Sequence, residues 1–537
     1  MVTKAVASIT VLGIILLPII STSGTSFLSW NDDWSFRQEI SIPIDTGLDE
    51  SKFQPIDIGI SFDNSCWAEN EKKHSIRVVC LHDNRWYELE SQIYNLDHTD
   101  NSHISSCSLV FLIPEFADGK EKYYVYYDDE EKPEVKYPDH VSVEKAYYYF
   151  APIQMYPFES KYYEIKEDGI IVYGVSLEGQ FLGSGTSQQI TKFKSGTKQV
   201  NSPQDAESWA SFDFFYYYGN SNKDFSSTVQ KLVSSRIIVD GNLMVKFEII
   251  SESKRGDFKT TAVYKYYYSP CNDKRIYVHI KHEATKACRV VPNSPNTDSC
   301  GNIAGLQAIR FRSPSVKELN FGELFPYMHV YAENNVIQEY ALDTNPQYTP
   351  NNIKILGTED DVDLGENAWA SFDEGEKGKA HAIIFHSNNI ISSGDNERDG
   401  IQIKAFEGAL PSILGLEIKG ESFYFTRNSY EKGCENDLTI PANFVVEYDA
   451  EFFSTENSGY KVVDKEAKLF QSLVRARPIH TSTLQEQDEK NTHSLTAYIH
   501  LAPSTPLGSE LSLLSGKNLS YITAELYKGD SLSLIHI

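Results

Sequence analysis

The densest set of groups able to act on a ligand lies between Arg275 and Glu283. Side chains alternate between the two faces of a strand. Ile276, Val278, Ile280 and His282 therefore fall on one side, and Tyr277, His279, Lys281 and Glu283 on the other. If neighbouring strands align, Tyr264, Tyr266 and Tyr268, and Lys246 with Glu248, join the second set. Such a face could stack sugar rings on its phenols and bond their hydroxyls through Lys, Glu and His. Glu248, Tyr266 and His279 could also supply acid–base chemistry. The plainer alternative is a solvated face whose charges only pair across strands, since amphipathic antiparallel strands keep one wet side. Convergence of Glu248, Tyr266 and His279 in a deep cleft would favour catalysis. Dispersal over an open sheet would favour binding or a structural role.

Other constellations are thinner. His279 and His282 lie three apart on a strand, so their rings point to opposite faces and do not chelate together. Asp395, Glu397 and Asp399, followed by Gly400, resemble the opening of a calcium loop, in which alternate oxygens wrap a hard cation and Gly permits the turn. They are the candidate metal ligands, for a structural calcium and no other cofactor. Two features depart from the pattern: Glu397 stands where Asp or Asn is usual, and the twelfth position is Phe406. An acidic hairpin turn is the alternative. The chain contains no G-x-S-x-G nucleophile elbow. Gly183 and Gly185 sit in a β context without the helix that a phosphate loop needs.

The elements that must position these groups are strands. Ser235 to Val239, the turn pair Asp240-Gly241, and Asn242 to Ile250 read as a hairpin, because Asp-Gly favours the tight turns that join antiparallel strands. Thr260 to Ser269 and Arg275 to Glu283 form a second hairpin. The 33 Tyr and 28 Phe, with abundant Ile and Val, add to this bias. The spacing of Ala467, Leu469, Phe470, Leu473 and Val474 predicts one short amphipathic helix over 463–477. The expected fold class is all-β: a multi-module chain of antiparallel β-sandwiches, with a large central domain and few short helices.

At 537 residues the chain is long enough for about three domains. The reading divides it into a signal peptide or N-terminal anchor (1–26), a β-sandwich module (30–138), a large central domain (141–459), a helix and linker (460–492), and the start of a truncated β-module (493–537). The first segment is an apolar run from Ala5 to Ile20, followed by small residues, as in a secretory signal. It predicts an extracellular or cell-surface location. The balance of 75 acidic against 49 basic residues, a net charge of −26, argues against nucleic acid as a partner. Among the seven cysteines there is no C-x-x-C pair. In an exported chain disulfides are the default, with Cys288 and Cys300 the easiest pair to propose and an odd thiol left over.

Trp34, Phe36, Arg37, Ile40 and Ile42, with Tyr124, Tyr126 and Tyr127 at the far end, resemble a family of extracellular β-domains of unknown function on archaeal and bacterial surface proteins. Its members open W-x-[YF]-R and close in a Tyr-rich strand. The family usually ends Tyr-Gly-Asn, whereas Asp128 and Asp129 follow Tyr127 here, so the final turn differs. The resemblance implies surface display and company with carbohydrate-binding modules, and it assigns no catalytic residue. The run from Arg236 to Glu283 is similar in pattern to the β-supersandwich of mutarotase-like proteins and of the sheet domains of some polysaccharide lyases. The expected function is that of a secreted or surface β-protein that binds a polysaccharide or glycoconjugate, or builds the cell envelope, without catalysis. The alternative is an extracellular lyase or glycoside hydrolase working on the polar face of the central sheet.

Overall fold

Period-two alternation of Ile, Val, Tyr and Phe produces strands wherever one face can be buried and the other paired. The computed structural model describes residues 29–150, 158–179, 187–202, 205–211, 217–218, 225–226, 230–253, 256–290, 306–316, 325–332, 335–341, 354–356, 362–386, 391–392, 401–411, 417–427, 438–440, 442–443, 445–473, 479–482, 497–498, 523–528 and 531–536. These residues form antiparallel sheets almost throughout, with one α-helix among them, so the fold class is all-β as expected. None of their helices is long and apolar enough to cross a membrane. The apolar run from Ala5 to Ile20 lies outside the described residues.

The N-terminal module packs two sheets. One orders Phe36–Ile40, Lys122–Tyr127, Arg77–His82 and Arg85–Leu89; the other contains Ser91–His98, His103–Leu112 and Pro55–Trp67. Ile56, Ile58 and Ile60 point into their shared core with Val78, Leu109 and Val125. Trp34 closes one end: its indole Nε1 donates to the Ser75 carbonyl at 2.6 Å, and the Arg77 guanidinium lies 5.4 Å from its ring centre.

Two ten-stranded sheets make the central sandwich. In the sheet that matters here, Gln230–Asp240, Met244–Ser253, Phe258–Tyr267, Lys274–Ala284, Val445–Thr455, Ala380–Phe385 and Trp369–Asp373 follow one another in space. The hairpin turn at Asp240-Gly241 is present, with Gly241 N–H bonded to the Met244 carbonyl at 3.2 Å. The inner faces of the two sheets meet in one core, to which Tyr163, Tyr173 and Val175 contribute from one side and Phe247, Ile276 and Val278 from the other.

The outer face of this second sheet is covered too. The helix Gly459–Ser472 turns Val463, Ala467 and Phe470 onto Trp369, Ile384 and Phe453, a 3–4 spacing that aligns them on one stripe. Tyr94 and Val110 of the N-terminal module join the same cluster beside Met244 and Tyr277. The helix begins four residues before the expected 463 and stops at Ser472. Its chain then becomes extended at Leu473 (φ −100°, ψ 97°), which sends that side chain into the core of the N-terminal module. Strand Ile479–Ser482 continues this return by pairing in parallel with Ile58 to Ile60. At the C-terminal end, strand Thr523–Lys528 pairs with Ser531–His536.

Candidate functional site

Cross-strand register decides which candidates share a face. Glu248, Val263, His279 and Asp449 form one row, and Lys246, Lys265, Tyr277 and Glu451 the next. Lys246, Glu248, Tyr277, His279, Lys281 and Glu283 therefore do lie on one side, as expected. Tyr264 and Tyr266 do not. They pair with Val278 and Ile276, are fully buried in the sandwich core, and correct the expected tyrosine-bearing face. The reason is parity. Residues paired across this hairpin have like parity, so even-numbered tyrosines share a side with the even-numbered core residues. Tyr266 donates to Glu167 Oε2 at 2.6 Å, between the sheets. Tyr268 lies at the sheet's end and stacks on His140 with centroids 3.9 Å apart.

Glu248, Tyr266 and His279 accordingly do not converge. Tyr266 is on the opposite side of the sheet, and the strand carrying Val263 separates the other two by about 10 Å, two strand spacings. Glu248 is instead bonded by Arg236 Nε at 2.9 Å. His279 Nδ1 lies 2.7 Å from Asp449 Oδ1 and its Nε2 lies 3.2 Å from Glu447 Oε1; the Tyr277 hydroxyl also donates to Asp449. Burial works against the charge of His279, but the bonds to Asp449 and Glu447 outweigh it and hold the imidazole's pKa up at about 9. At neutral pH both ring nitrogens of the resulting imidazolium are spent, which leaves no lone pair to act as a base. Lys246 lies under the N-terminal module, 5.6 Å from the Tyr94 ring centre. Lys281 and Glu283 form a loose pair of 3.6 Å at the open end. The face is a packed, ion-paired surface.

Asp395, Glu397 and Asp399 lie outside the described residues. Among the described residues, no group of three His, Cys, Asp or Glu side chains is placed to hold a metal ion. Cys66, Cys80, Cys107 and Cys271 are free thiols, not disulfides. Cys300 and Cys434 lie outside the described residues, as does the side chain of Cys288.

A concave feature lies elsewhere, where the N-terminal module meets the Gln230–Asp240 hairpin. A groove of about 920 Å³ runs between loop 70–74, strand Ser91–His98, the connecting segment 134–139 and the turn 238–242. Its walls carry Asn70, Tyr94, Asn95, His98, Tyr137 and Asn242, with Glu71, Glu134, Asp139, Asp240 and Lys72. A bulge between Tyr94 and Asp97 brings Asn95 to φ +53°, a left-handed geometry that Asn tolerates.

Three sets of polar contacts hold the groove's walls together. Gln92 Oε1 accepts from Leu243 N at 2.9 Å and Met244 N at 2.7 Å, while its Nε2 donates to the Met244 carbonyl at 3.0 Å. This is possible because residue 241 is Gly: a Cβ there would stand 2.2 Å from the Gln92 amide. Asp57, 5% exposed, accepts 2.7 Å bonds from the hydroxyls of Tyr94 and Tyr267 and pairs with the Lys265 ammonium. His140 sits between Glu90 (3.1 Å) and Asp168 (3.0 Å), one from each module.

Electrostatics inside the groove are uneven. Burial, with the charge of Arg77, lowers the His74 pKa to about 3, so His74 is a neutral part of the wall. The Asp240 carboxyl is open to water on one side, but packing beneath it, and then the charge of Asp139, raise its pKa against the bond from Val143 N–H. One buried polar atom of the wall, Asn242 Nδ2, lacks a hydrogen-bond partner, while Ser91 Oγ meets the Tyr137 phenol. The Tyr137 phenol that approaches Ser91 donates its own proton to Glu88 at 2.8 Å. Sequence reasoning missed this groove. Asp240 and Gly241 stand out as a turn, but no local pattern places strand Ser91–His98 beside them.

No protein-family model matches the sequence, and no curated protein matches it. Among solved structures, the chain is similar to the GH36 alpha-galactosidase AgaA from Geobacillus stearothermophilus, with 9% identity and a TM-score of 0.31 over 63% of this chain and 44% of that one. It is also similar to the galactosidase domain of the alpha-galactosidase-sucrose kinase AgaSK, with 8% identity and a TM-score of 0.26 over 60% and 40% of the two chains. A glycosyl hydrolase family 38 protein from Enterococcus faecalis matches with 9% identity and a TM-score of 0.29, over 91% of this chain and 52% of that one. The chain thus spans about half of these structures or less, and likeness at such scores carries no argument about function.

Proposed function

We propose that the chain is a glycan-binding β-protein of the cell surface or exterior, which takes its ligand in the groove between the N-terminal module and the central sandwich. The observation that carries this reading is the groove's wall. Amides, carboxylates and two phenols surround a space of about 920 Å³, in which Asn242 Nδ2 is buried without a partner. A buried polar group without a hydrogen bond costs about 1–3 kcal/mol. Sugar hydroxyls, which both donate and accept, would remove that cost, while the partly exposed Tyr137 offers apolar ring surface. The location outside the cell is supported by the apolar leader from Ala5 to Ile20 and by the Trp34-to-Arg37 strand start. A hydrolase is the second reading. It is favoured by one observation, the raised carboxyl of Asp240 beside the charge of Asp139, an arrangement from which an acid and a base could be drawn. A glycan array probed with the full chain, followed by product analysis of every bound glycan, tests both. Binding without turnover supports the first reading, and new reducing ends support the second. If no glycan binds, the proposal fails.

A further inference from the structure

Four parts of the molecule meet at His140, where the connecting segment enters the central sandwich. Its Nε2 lies 3.1 Å from Glu90 Oε2, just before strand Ser91–His98, and its Nδ1 lies 3.0 Å from Asp168 Oδ1 in the sandwich. Its backbone N–H donates to the Asn242 carbonyl at 3.1 Å, and its carbonyl accepts from Asp168 N–H at 2.8 Å. Tyr268 stacks on the ring, with 3.9 Å between centres and 6° between planes. Carboxylates only accept, and a neutral imidazole has a single N–H. Only the imidazolium can therefore donate to Glu90 and Asp168 together, and the phenol face beneath favours the same cation. His279 also lies between two carboxylates, but both belong to strand Val445–Thr455. The carboxylates at His140 come from different modules.

Burial opposes the charge of His140, but Asp168 and Glu90 outweigh it and hold the imidazole's pKa above the ordinary 6.5. Of the other groups nearby, the Tyr268 phenol is pushed up to about 12 by burial and then by its acidic neighbours, Glu167 is paired with Lys274, and Asp139 precedes His140 in the chain. Loss of the proton would set a ring lone pair against one of the two carboxylates. Asp168 is tied to residue 140 through the backbone as well; the Glu90 side chain, 42% exposed, is free to turn to water. The other polar ties between the modules, Asp57 with Lys265 and Gln92 with Leu243 and Met244, are buried and contain no histidine. We propose that His140 is a proton-operated catch: charged, it fastens the connecting segment to strand Ser91–His98 beside the groove; neutral, it lets Glu90 go and loosens that wall while the buried ties keep the modules together. The raised value sets the sign: the catch is closed below about pH 6.5 and opens as pH rises above it. This holds whatever the groove binds.

The test is hydrogen exchange of the full chain without ligand, read by mass spectrometry at about pH 6 and about pH 9 and corrected for the intrinsic rate at each. The His140 amide, bonded to Asn242, should exchange about tenfold or more faster at the higher pH, the scale of one charge-assisted bond lost. The amides of Leu243 and Met244, held by Gln92, should not change. In His140→Gln the His140 position should exchange fast at both pH values. Histidine NMR gives the titration midpoint of His140, which Glu90→Gln should lower; that variant, at an exposed side chain, serves if the first does not fold. Equal corrected exchange at both pH values in the parent overturns the catch. So does a rise with pH that persists in His140→Gln, which places the cause in another group, or one that spreads to Leu243 and Met244, which makes the whole junction open.

Discussion

Replacing Asp57 by Ala should be among the costliest single changes in the molecule, for a reason that can be worked from the contacts. Asp57 belongs to the N-terminal module, while two of its partners, Lys265 and Tyr267, belong to the central sheet. All are buried: Asp57 is 5% exposed and Lys265 2%. The substitution takes the carboxylate away from an ammonium that stays out of water, and also from the hydroxyls of Tyr94 and Tyr267. Breaking a buried ion pair from one side costs about 3–5 kcal/mol, because the remaining charge keeps its desolvation penalty. The Tyr94 hydroxyl, 3.2 Å from Lys265 Nζ, compensates part of that, which favours the lower half of the range. Removing both charges with Asp57→Leu/Lys265→Met should recover most of the loss and leave the double variant within about 1–2 kcal/mol of the parent. Urea denaturation followed by tryptophan fluorescence and far-UV circular dichroism measures both effects. Because the contact spans two modules, Asp57→Ala should also split a shared transition into two. A cost below about 1 kcal/mol, or a double variant as unstable as the single one, would refute the stranded-charge reasoning.

Three further outcomes are expected. Gly241→Ala should destabilise by about 1–3 kcal/mol, the usual range for overpacking, since the new methyl meets the Gln92 amide; differential scanning calorimetry checks this. His279 titrates at about 9 when folded, above the ordinary imidazole value of 6.5, because its bonds to Asp449 and Glu447 overcome burial. The raised value means that its contribution to stability is full below about pH 6.5 and is lost as pH rises towards 9, so His279→Gln should flatten the stability–pH curve in that window and nowhere below it. Burial pushes the thiols of Cys66 and Cys80 up to about 12, so alkylation of the native chain at pH 8 should spare both and label the partly exposed Cys271; peptide mass spectrometry reads the pattern.

Much of the fold was legible because its information is local. Asp240-Gly241 encodes a turn, and alternation on either side encodes the strands it joins, so the hairpin is present where the sequence puts it. The candidate face was less legible. Whether Tyr264 and Tyr266 lie with His279 or with Val278 depends on a one-residue choice of register across the loop after Tyr268, and neither hydrophobic pattern nor charge settles it. The core took the tyrosines because their rings fill the space between two sheets; the Tyr266 hydroxyl still reaches Glu167, whereas that of Tyr264 is buried without a partner. The groove was not legible at all. Asp57, between Ile56 and Ile58, reads as a solvent-facing residue of an amphipathic strand. It is buried because a sheet more than 200 positions away in sequence covers it and supplies Lys265. The walls at Ser91–His98 and Asp240–Asn242 come together through that same long-range contact.

The central claim is that the ligand enters this groove and not the charged face around His279. Its most direct test compares glycan titrations of the parent chain, of Asn242→Trp, which fills the groove, and of Lys281→Ala/Glu283→Ala, which strips the open end of the sheet face. Asn242→Trp should abolish binding, while the sheet-face variant should bind as the parent does. Retained binding in Asn242→Trp together with loss in Lys281→Ala/Glu283→Ala would contradict it.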